Sequence, residues 1–246
     1  MVHTRETRAR AAEIKFLVDP SLAPRICDWA RRHLLPDPHG AGPAGDEYAT
    51  SSLYFDTSGF DVFHRRGSYG RAKYRVRRYG NGDHVFLERK LRQPGILIKR
   101  RTVAPLALLD RLHDATAAGS WPGDWFQRRL QVRGLSPVCQ ISYHRIARTI
   151  DVNHGHARLT LDSDLRAQRV SEARFTGGAG VVVLPDRMVL ELKYRVQLPA
   201  IFRRLIEEFT LRTTTASKYR LGMAALGHEP IVGSRPGAPS SDAFYA

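Results

Sequence analysis

Between residues 71 and 77 the chain reads Arg71-Ala72-Lys73-Tyr74-Arg75-Val76-Arg77, with a cation at every second position. Side chains alternate across a β-strand, so this spacing gathers the cations on one face and Ala72, Tyr74 and Val76 on the other. A helix would spread the same charges around its circumference. The two-residue period recurs along the chain: Glu13 with Lys15, Glu88 with Lys90, Lys99 with Arg101, and Tyr143 with Arg145. Arg158, Thr160 and Asp162 repeat it, as do Glu191 and Lys193. A chain built this way is a set of strands, each apolar on one face and charged on the other.

By this criterion strands are predicted over 12–18, 50–56, 72–79, 84–92, 96–103, 139–151, 157–166, 180–184 and 188–196. Helical spacing marks 22–35, 105–117, 125–132, 200–211 and 218–226. Pro199 suits a helix entry, and Ser217 stands where it can cap the last helix. Consecutive strands with helices inserted give an α+β chain with an antiparallel sheet. At 246 residues the length accommodates one large domain. It is expected over 11–226, between an N-terminal extension at 1–10 and a Gly, Pro and Ser-rich tail at 227–246 that reads as disordered. No apolar run reaches the roughly 18 to 20 residues of a membrane helix, and no signal-peptide core is present. Cys27 and Cys139 make neither a disulfide framework nor metal-ligand spacing, so a cytoplasmic protein is expected.

Lys and Arg number 39 against 24 Asp and Glu, a net charge of +15. One strand with a charged face is only a wet surface. The whole set is less ordinary, because like charges facing each other across strands destabilise by up to about 1 kcal/mol per pair. Lys15, Arg71, Lys73, Arg75, Arg77, Lys90, Lys99, Arg101, Arg145, Arg158 and Lys193 share their faces with few acids. Such crowding is tolerable if the sheet curls and the faces converge on a multivalent anion. Tyr74, Phe86, Phe16 and Phe55 are read as lying mostly opposite the cations or in apolar runs, leaving no stacking platform. The ligand is therefore expected to be phosphate and not nucleic acid. Glu13, Glu88 and Glu191 each stand two residues from a lysine on the same face. Each either pairs with that lysine or helps hold a divalent cation, which one or two carboxylates plus phosphate oxygens suffice to bind.

The ordered set Glu13-Ile14-Lys15-Phe16, Ser52-Leu53-Tyr54-Phe55-Asp56-Thr57, Arg71-x-Lys73-x-Arg75-x-Arg77-x-Tyr79, Phe86-Leu87-Glu88-Arg89-Lys90, Arg158-x-Thr160-x-Asp162, Leu190-Glu191-Leu192-Lys193-Tyr194 and Ser217-Lys218-Tyr219 resembles the VTC (vacuolar transporter chaperone) catalytic domain. That family comprises polyphosphate polymerases of the triphosphate tunnel metalloenzyme superfamily. The resemblance spans about residues 13–226. It implies an antiparallel β-barrel tunnel with a basic interior and helices packed outside. It also implies transfer of the terminal phosphoryl group of ATP onto inorganic polyphosphate, with Mn²⁺ or Mg²⁺.

Carried over position by position, Lys15, Arg75, Arg77, Lys90, Arg145 and Lys218 are the catalytic cations and Lys99 a further phosphate ligand. Tyr143 and Ser217 supply neutral hydrogen bonds, and Arg71, Lys73, Arg101, Arg158 and Lys193 extend the basic wall. Glu191 ligates the metal, with Glu13 and Glu88 as further candidates. The wider superfamily opens with Glu-x-Glu-x-Lys, where this chain has Ala11, Glu13 and Lys15. Loss of one acid favours a polymerase over a metal-dependent tripolyphosphatase or nucleoside triphosphatase. A non-catalytic polyphosphate- or RNA-binding module is the reading outside enzymology. Coupling to transport would need a membrane partner protein, and the oligomeric state is not set by these motifs.

Overall fold

The computed structural model describes residues 4–9, 11–93, 96–113, 121–153 and 155–228. In chain order the elements are β1 (Thr4–Ala9), β2 (Ala11–Val18), α1 (Ala23–His33), β3 (Leu35–Pro36), β4 (Glu47–Asp56), α2 (Asp61–His64), β5 (Ala72–Tyr79) and β6 (His84–Gln93). They continue with β7 (Ile96–Pro105), α3 (Asp124–Val132), β8 (Ser136–Val152), β9 (Gly155–Arg169), β10 (Val181–Val182), β11 (Met188–Arg195), α4 (Ala200–Glu208) and α5 (Lys218–Ala225). Short 3₁₀ segments cover Gly67–Arg71 and Leu106–His113. No helix among the described residues is long and apolar enough to cross a membrane.

The strands form one antiparallel sheet in the order β1-β7-β6-β5-β4-β8-β9-β11-β2, with β3 on β8 and β10 on β9. Among the described residues the ladder is open, ending on β1 and β2. Those edge strands are consecutive in the chain, with only residue 10 between them, so the two edges meet at that corner. Across the opening Lys90 on β6 reaches Glu13 on β2 at 3.3 Å, which requires the sheet to curl back on itself. The result is a tunnel-like fold.

Alternation sorts the side chains as the sequence requires. The outer faces of β2, β9 and β11 bury Phe16, Leu159, Leu161, Leu190 and Leu192 under Ile26, Trp29 and Ala30 of α1 and Phe202 and Leu205 of α4. Val76, Val85 and Leu87 on β5 and β6 lie under Phe126 and Leu130 of α3. Burying each such side chain contributes about 1.5–3 kcal/mol, and these helices thereby hold the curvature from outside.

Helix α5 behaves differently from the expected outer layer. Tyr219 stacks on Tyr54 with ring centroids 5.0 Å apart, and Tyr54 faces the same side as Arg75. At Gly222 an added Cβ would come within 2.1 Å of Ile141 Cδ1, so a larger residue would force the Ile141 side chain to move. Helix α5 therefore packs against the inner face and fills part of the tunnel.

Several expected boundaries shift. The segment read as an N-terminal extension supplies β1, paired with β7 from Thr4↔Thr102 to Ala9↔Leu97. The helix expected at 105–117 is the 3₁₀ segment to His113, and residues 114–117 lie outside the described residues, as do 229–246 of the expected tail. The strand expected at 180–184 shrinks to two residues.

Candidate functional site

Cross-strand register assembles the inner face in rows. On the β4–β7 wall, Lys73, Lys90 and Lys99 stand side by side. The next row runs Tyr54, Arg75, Glu88, Arg101, and the one after it Ser52, Arg77, Phe86, Val103. On the opposite wall one row is Lys15, Glu191, Thr160, Ala147 and another is Glu13, Lys193, Arg158, Thr149. Asp162 pairs across to Arg145. A row of three lysines is unfavourable in isolation. It is tolerated because the rows around it carry buried acids.

Glu88 is the centre of the first wall. Its Oε2 accepts from Arg75 Nε at 2.7 Å, while Lys99 Nζ at 2.9 Å and Arg101 Nε at 3.3 Å form ion pairs with Oε1. Burial works to raise its pKa, but the field of Arg75, Lys99, Arg77 and Arg101 holds it well below the usual carboxylate range. Glu191 is the centre of the second wall. Oε1 meets Lys218 Nζ at 2.8 Å and Lys15 Nζ at 3.3 Å, and Oε2 meets Lys193 Nζ at 2.9 Å. Its burial is likewise overcome, by Lys193, Lys218 and Lys15, and it too is held well below the ordinary value.

Lys218 is the buried link between the acids, with Asp162 Oδ2 at 2.6 Å and the Tyr143 ring 5.4 Å away. Arg145 makes a bidentate contact with Asp162 at 2.6 and 2.8 Å and donates to Tyr143 Oη at 3.3 Å. Glu13 pairs with Lys15 at 2.9 Å and with Lys90 at 3.3 Å. Although burial opposes it, Lys193, Lys90 and Lys15 pull the Glu13 pKa down.

Two cations on this face have no carboxylate partner among the described residues. Arg77 is buried and donates from Nε to Ser52 Oγ at 3.0 Å. Lys73 donates to Ser217 Oγ at 2.8 Å. Desolvation first, then Lys15, Lys90 and Arg75, bring the Lys73 pKa down to about 7. Ser217 thus spends its hydroxyl on Lys73, and no side-chain cap is made at the start of α5.

Most of the expected site residues therefore come together on one face: Lys15, Lys73, Arg75, Arg77, Lys90, Lys99, Arg101, Tyr143, Arg145, Lys193, Ser217 and Lys218. Arg71 does not. It ends the 3₁₀ turn, one residue ahead of β5, and is exposed. Arg158 stands at the margin, paired with Asp37 at 2.9 Å and donating to the Tyr48 hydroxyl.

The three acids offered for metal binding divide. Glu13 and Glu191 are joined through Lys15, whereas Glu88 is enclosed by Arg75, Lys99 and Arg101 on the other wall. No cluster of three or more His, Cys, Asp or Glu residues suits a metal among the described residues. The remaining option is a single ionised carboxylate completed by phosphate oxygens and water. Glu191 fits it: its oxygens point inward, and two of its partners, Lys15 and Lys193, are partly exposed ammonium groups able to transfer to a phosphate.

Sequence reasoning missed two features. Asp56 is fully buried, accepting from the Thr57, Val62 and Phe63 amides at 2.7, 2.8 and 2.9 Å and from Tyr219 Oη at 2.5 Å. It fixes the residue next to Lys218, and only its place in the ordered motif signalled it. Phe86 was placed away from the cations, yet it shares the parity of Glu88 and Lys90 and faces inward. Arg101 Cζ lies 3.7 Å from its ring centroid. Tyr79 extends the Arg75 and Arg77 series by the same count.

The VTC domain family matches residues 10–227. No curated protein matches the chain in sequence. A protein of Bacillus halodurans described as a candidate adenylate cyclase superimposes with a TM-score of 0.54 at 17% identity, covering 85% of this chain and 95% of its own. A Hippeastrum protein described as a candidate adenylyl cyclase with a dominant triphosphatase activity gives a TM-score of 0.50 at 14% identity, covering 86% of this chain and 94% of its own. At these identities the likeness is one of fold.

Proposed function

Since the chain belongs to the VTC domain family, we propose that it is a polyphosphate polymerase that moves the terminal phosphoryl group of ATP onto inorganic polyphosphate inside the basic tunnel. The observation that supports this most is the inner face itself, where Arg77 and Lys73 lack carboxylate partners among the described residues and cations from every wall converge. Phosphoryl transfer asks for positioning and charge neutralisation more than for covalent chemistry. Arg75, Arg77, Lys90, Arg145 and Lys218 are suited to hold the donor and chain phosphates, Arg as a planar fork and Lys as a point charge. Lys15 and Lys193, now on Glu191, can follow an incoming phosphate. The accepting chain end is already ionised at neutral pH, so no general base is required.

Glu191 would hold Mn²⁺ or Mg²⁺, which when bound supplies neutralisation of charge on the phosphates. The donor set, one buried carboxylate among ammonium groups, calls for a cation whose other ligands come from substrate. The reading takes the protein to be cytoplasmic, where ATP is supplied and its two buried, unpaired thiols stay reduced. Hydrolysis of tripolyphosphate or of a nucleoside triphosphate on the same clamp is the second reading, supported by the triphosphatase activity of the Hippeastrum protein of like fold. Purified protein incubated with ATP and Mn²⁺ or Mg²⁺ distinguishes them. Long-chain polyphosphate is the expected product. Orthophosphate without polymer would replace the proposal by the second reading, and neither product would leave a binding module.

A further inference from the structure

Three aromatic side chains stand on the inner face of adjacent strands without belonging to either hydrophobic core: Tyr48 on β4, Tyr79 on β5 and Phe86 on β6. Their rings form a contiguous group, Tyr48 to Tyr79 at 5.5 Å and Tyr79 to Phe86 at 5.2 Å, both edge to face. All are partly exposed, as an aromatic is when it lines a cavity and does not fill a core. Cations frame the group. Arg77 and Arg101 each place Cζ 5.9 Å from the Tyr79 ring centroid, Arg101 covers Phe86, and Arg158 donates to the Tyr48 hydroxyl. Same-face residues lie about 7 Å apart along a strand. Tyr79 therefore stands one step beyond Arg77 and two beyond Arg75, at the β5–β6 turn end of that wall.

Inorganic phosphate has no use for such a group. A chain of phosphates is gripped by charge alone, and the rows of Lys73, Lys90 and Lys99 at the other end of the same wall supply only charge. Aromatic faces beside guanidinium groups suit a planar π-system joined to phosphates. We propose that Tyr48, Tyr79 and Phe86, with Arg101, form a stacking site for the base of a nucleoside triphosphate whose phosphates extend from it toward Arg77 and Arg75. This rests on the reading of ATP as donor and deepens it. It assigns the β5–β6 turn end of the tunnel to the nucleotide and leaves the lysine end to the inorganic chain.

Inorganic tripolyphosphate is the matched probe, having the phosphates without the base. Binding of ATP and of tripolyphosphate is measured by calorimetry on the full chain, for the native protein and for Phe86→Leu and Tyr48→Leu, with thermal midpoints recorded for each. Base stacking on an aromatic ring is worth about 5- to 150-fold in affinity. The variants are expected to lower the ATP to tripolyphosphate affinity ratio by a factor in that range, while Tyr79→Phe, which keeps its ring, preserves the ratio. Equal weakening of both anions, or no weakening, overturns the stacking site. So does a native protein that binds tripolyphosphate as tightly as ATP, and in that case the tunnel reading survives. A native protein that binds neither anion removes both. Equal competition by single-stranded RNA, lost in the same variants, also overturns the proposal in favour of an RNA platform.

Discussion

Lys218→Ala exposes what the buried network demands. The ammonium lies 2.6 Å from Asp162 and 2.8 Å from Glu191, and its side chain is only 7% exposed. Removing it leaves two ionised carboxylates close together in a place water hardly reaches. Breaking a buried ion pair costs about 3–5 kcal/mol. Here the lower figure applies, because Asp162 keeps its bidentate Arg145 and Glu191 keeps Lys193 and Lys15. A domain of this size loses roughly 2–4 °C in Tm per kcal/mol, so about 3 kcal/mol corresponds to a fall of about 6–12 °C. With total stabilities of about 5–15 kcal/mol typical, the variant remains folded at room temperature. Its phosphoryl transfer should be abolished. Scanning calorimetry with a parallel product assay makes the comparison. A fall of less than about 2 °C would refute the reasoning, since it would mean that Asp162 and Glu191 need no neutralisation by this group.

Arg75→Ala should lower Tm, because Lys99 and Arg101 meet only Oε1 of the buried Glu88 and Oε2 loses its donor, but leave the chain folded while turnover falls by about 10²–10³ if the guanidinium acts like an oxyanion donor; full activity would remove it from the site. Glu191→Gln should flatten the dependence of turnover on added Mn²⁺ or Mg²⁺, and an unaltered metal titration would place the ligand elsewhere. Lys73, with its pKa at about 7, holds fewer protons in the folded state than an ordinary lysine from there up to the usual lysine range. Stability should therefore rise with pH through that window, the sign expected when the unfolded chain binds more protons. An anion that recharges the ammonium should take up a proton at pH 8. Calorimetric binding of tripolyphosphate in buffers of different ionisation enthalpy reads that proton, and Lys73→Met should reduce the proton uptake relative to the native protein; an uptake unchanged in Lys73→Met would contradict the assignment.

The strands were legible because their chemistry has period two: β5 falls at 72–79 as its alternation requires. The convergence of Lys15, Arg75, Lys90 and Lys193 follows from the same count once the sheet curls. Other features depend on contacts that no local pattern carries. Strand β1 is short and charged, and only its ladder with Thr102 to Leu97 makes it a strand. Lys218 lies on a helix whose surroundings are fixed by Asp56 through Tyr219, more than 160 residues away in the chain. Its site role came from the resemblance and not from periodicity. Phe86 is legible by parity with Glu88 and Lys90, but it stands in the apolar run Val85-Phe86-Leu87, which hides the face it takes.

The central claim is that the cations of this inner face grip a chain of phosphates. A crystal structure with bound inorganic tripolyphosphate tests it most directly. The account predicts the anion inside the tunnel, touching Arg75, Arg77, Lys90 and Arg145, with Lys15 or Lys193 moved from Glu191 to a phosphate oxygen. Tripolyphosphate bound only on the outer surface, with the inner ion pairs intact, would contradict it.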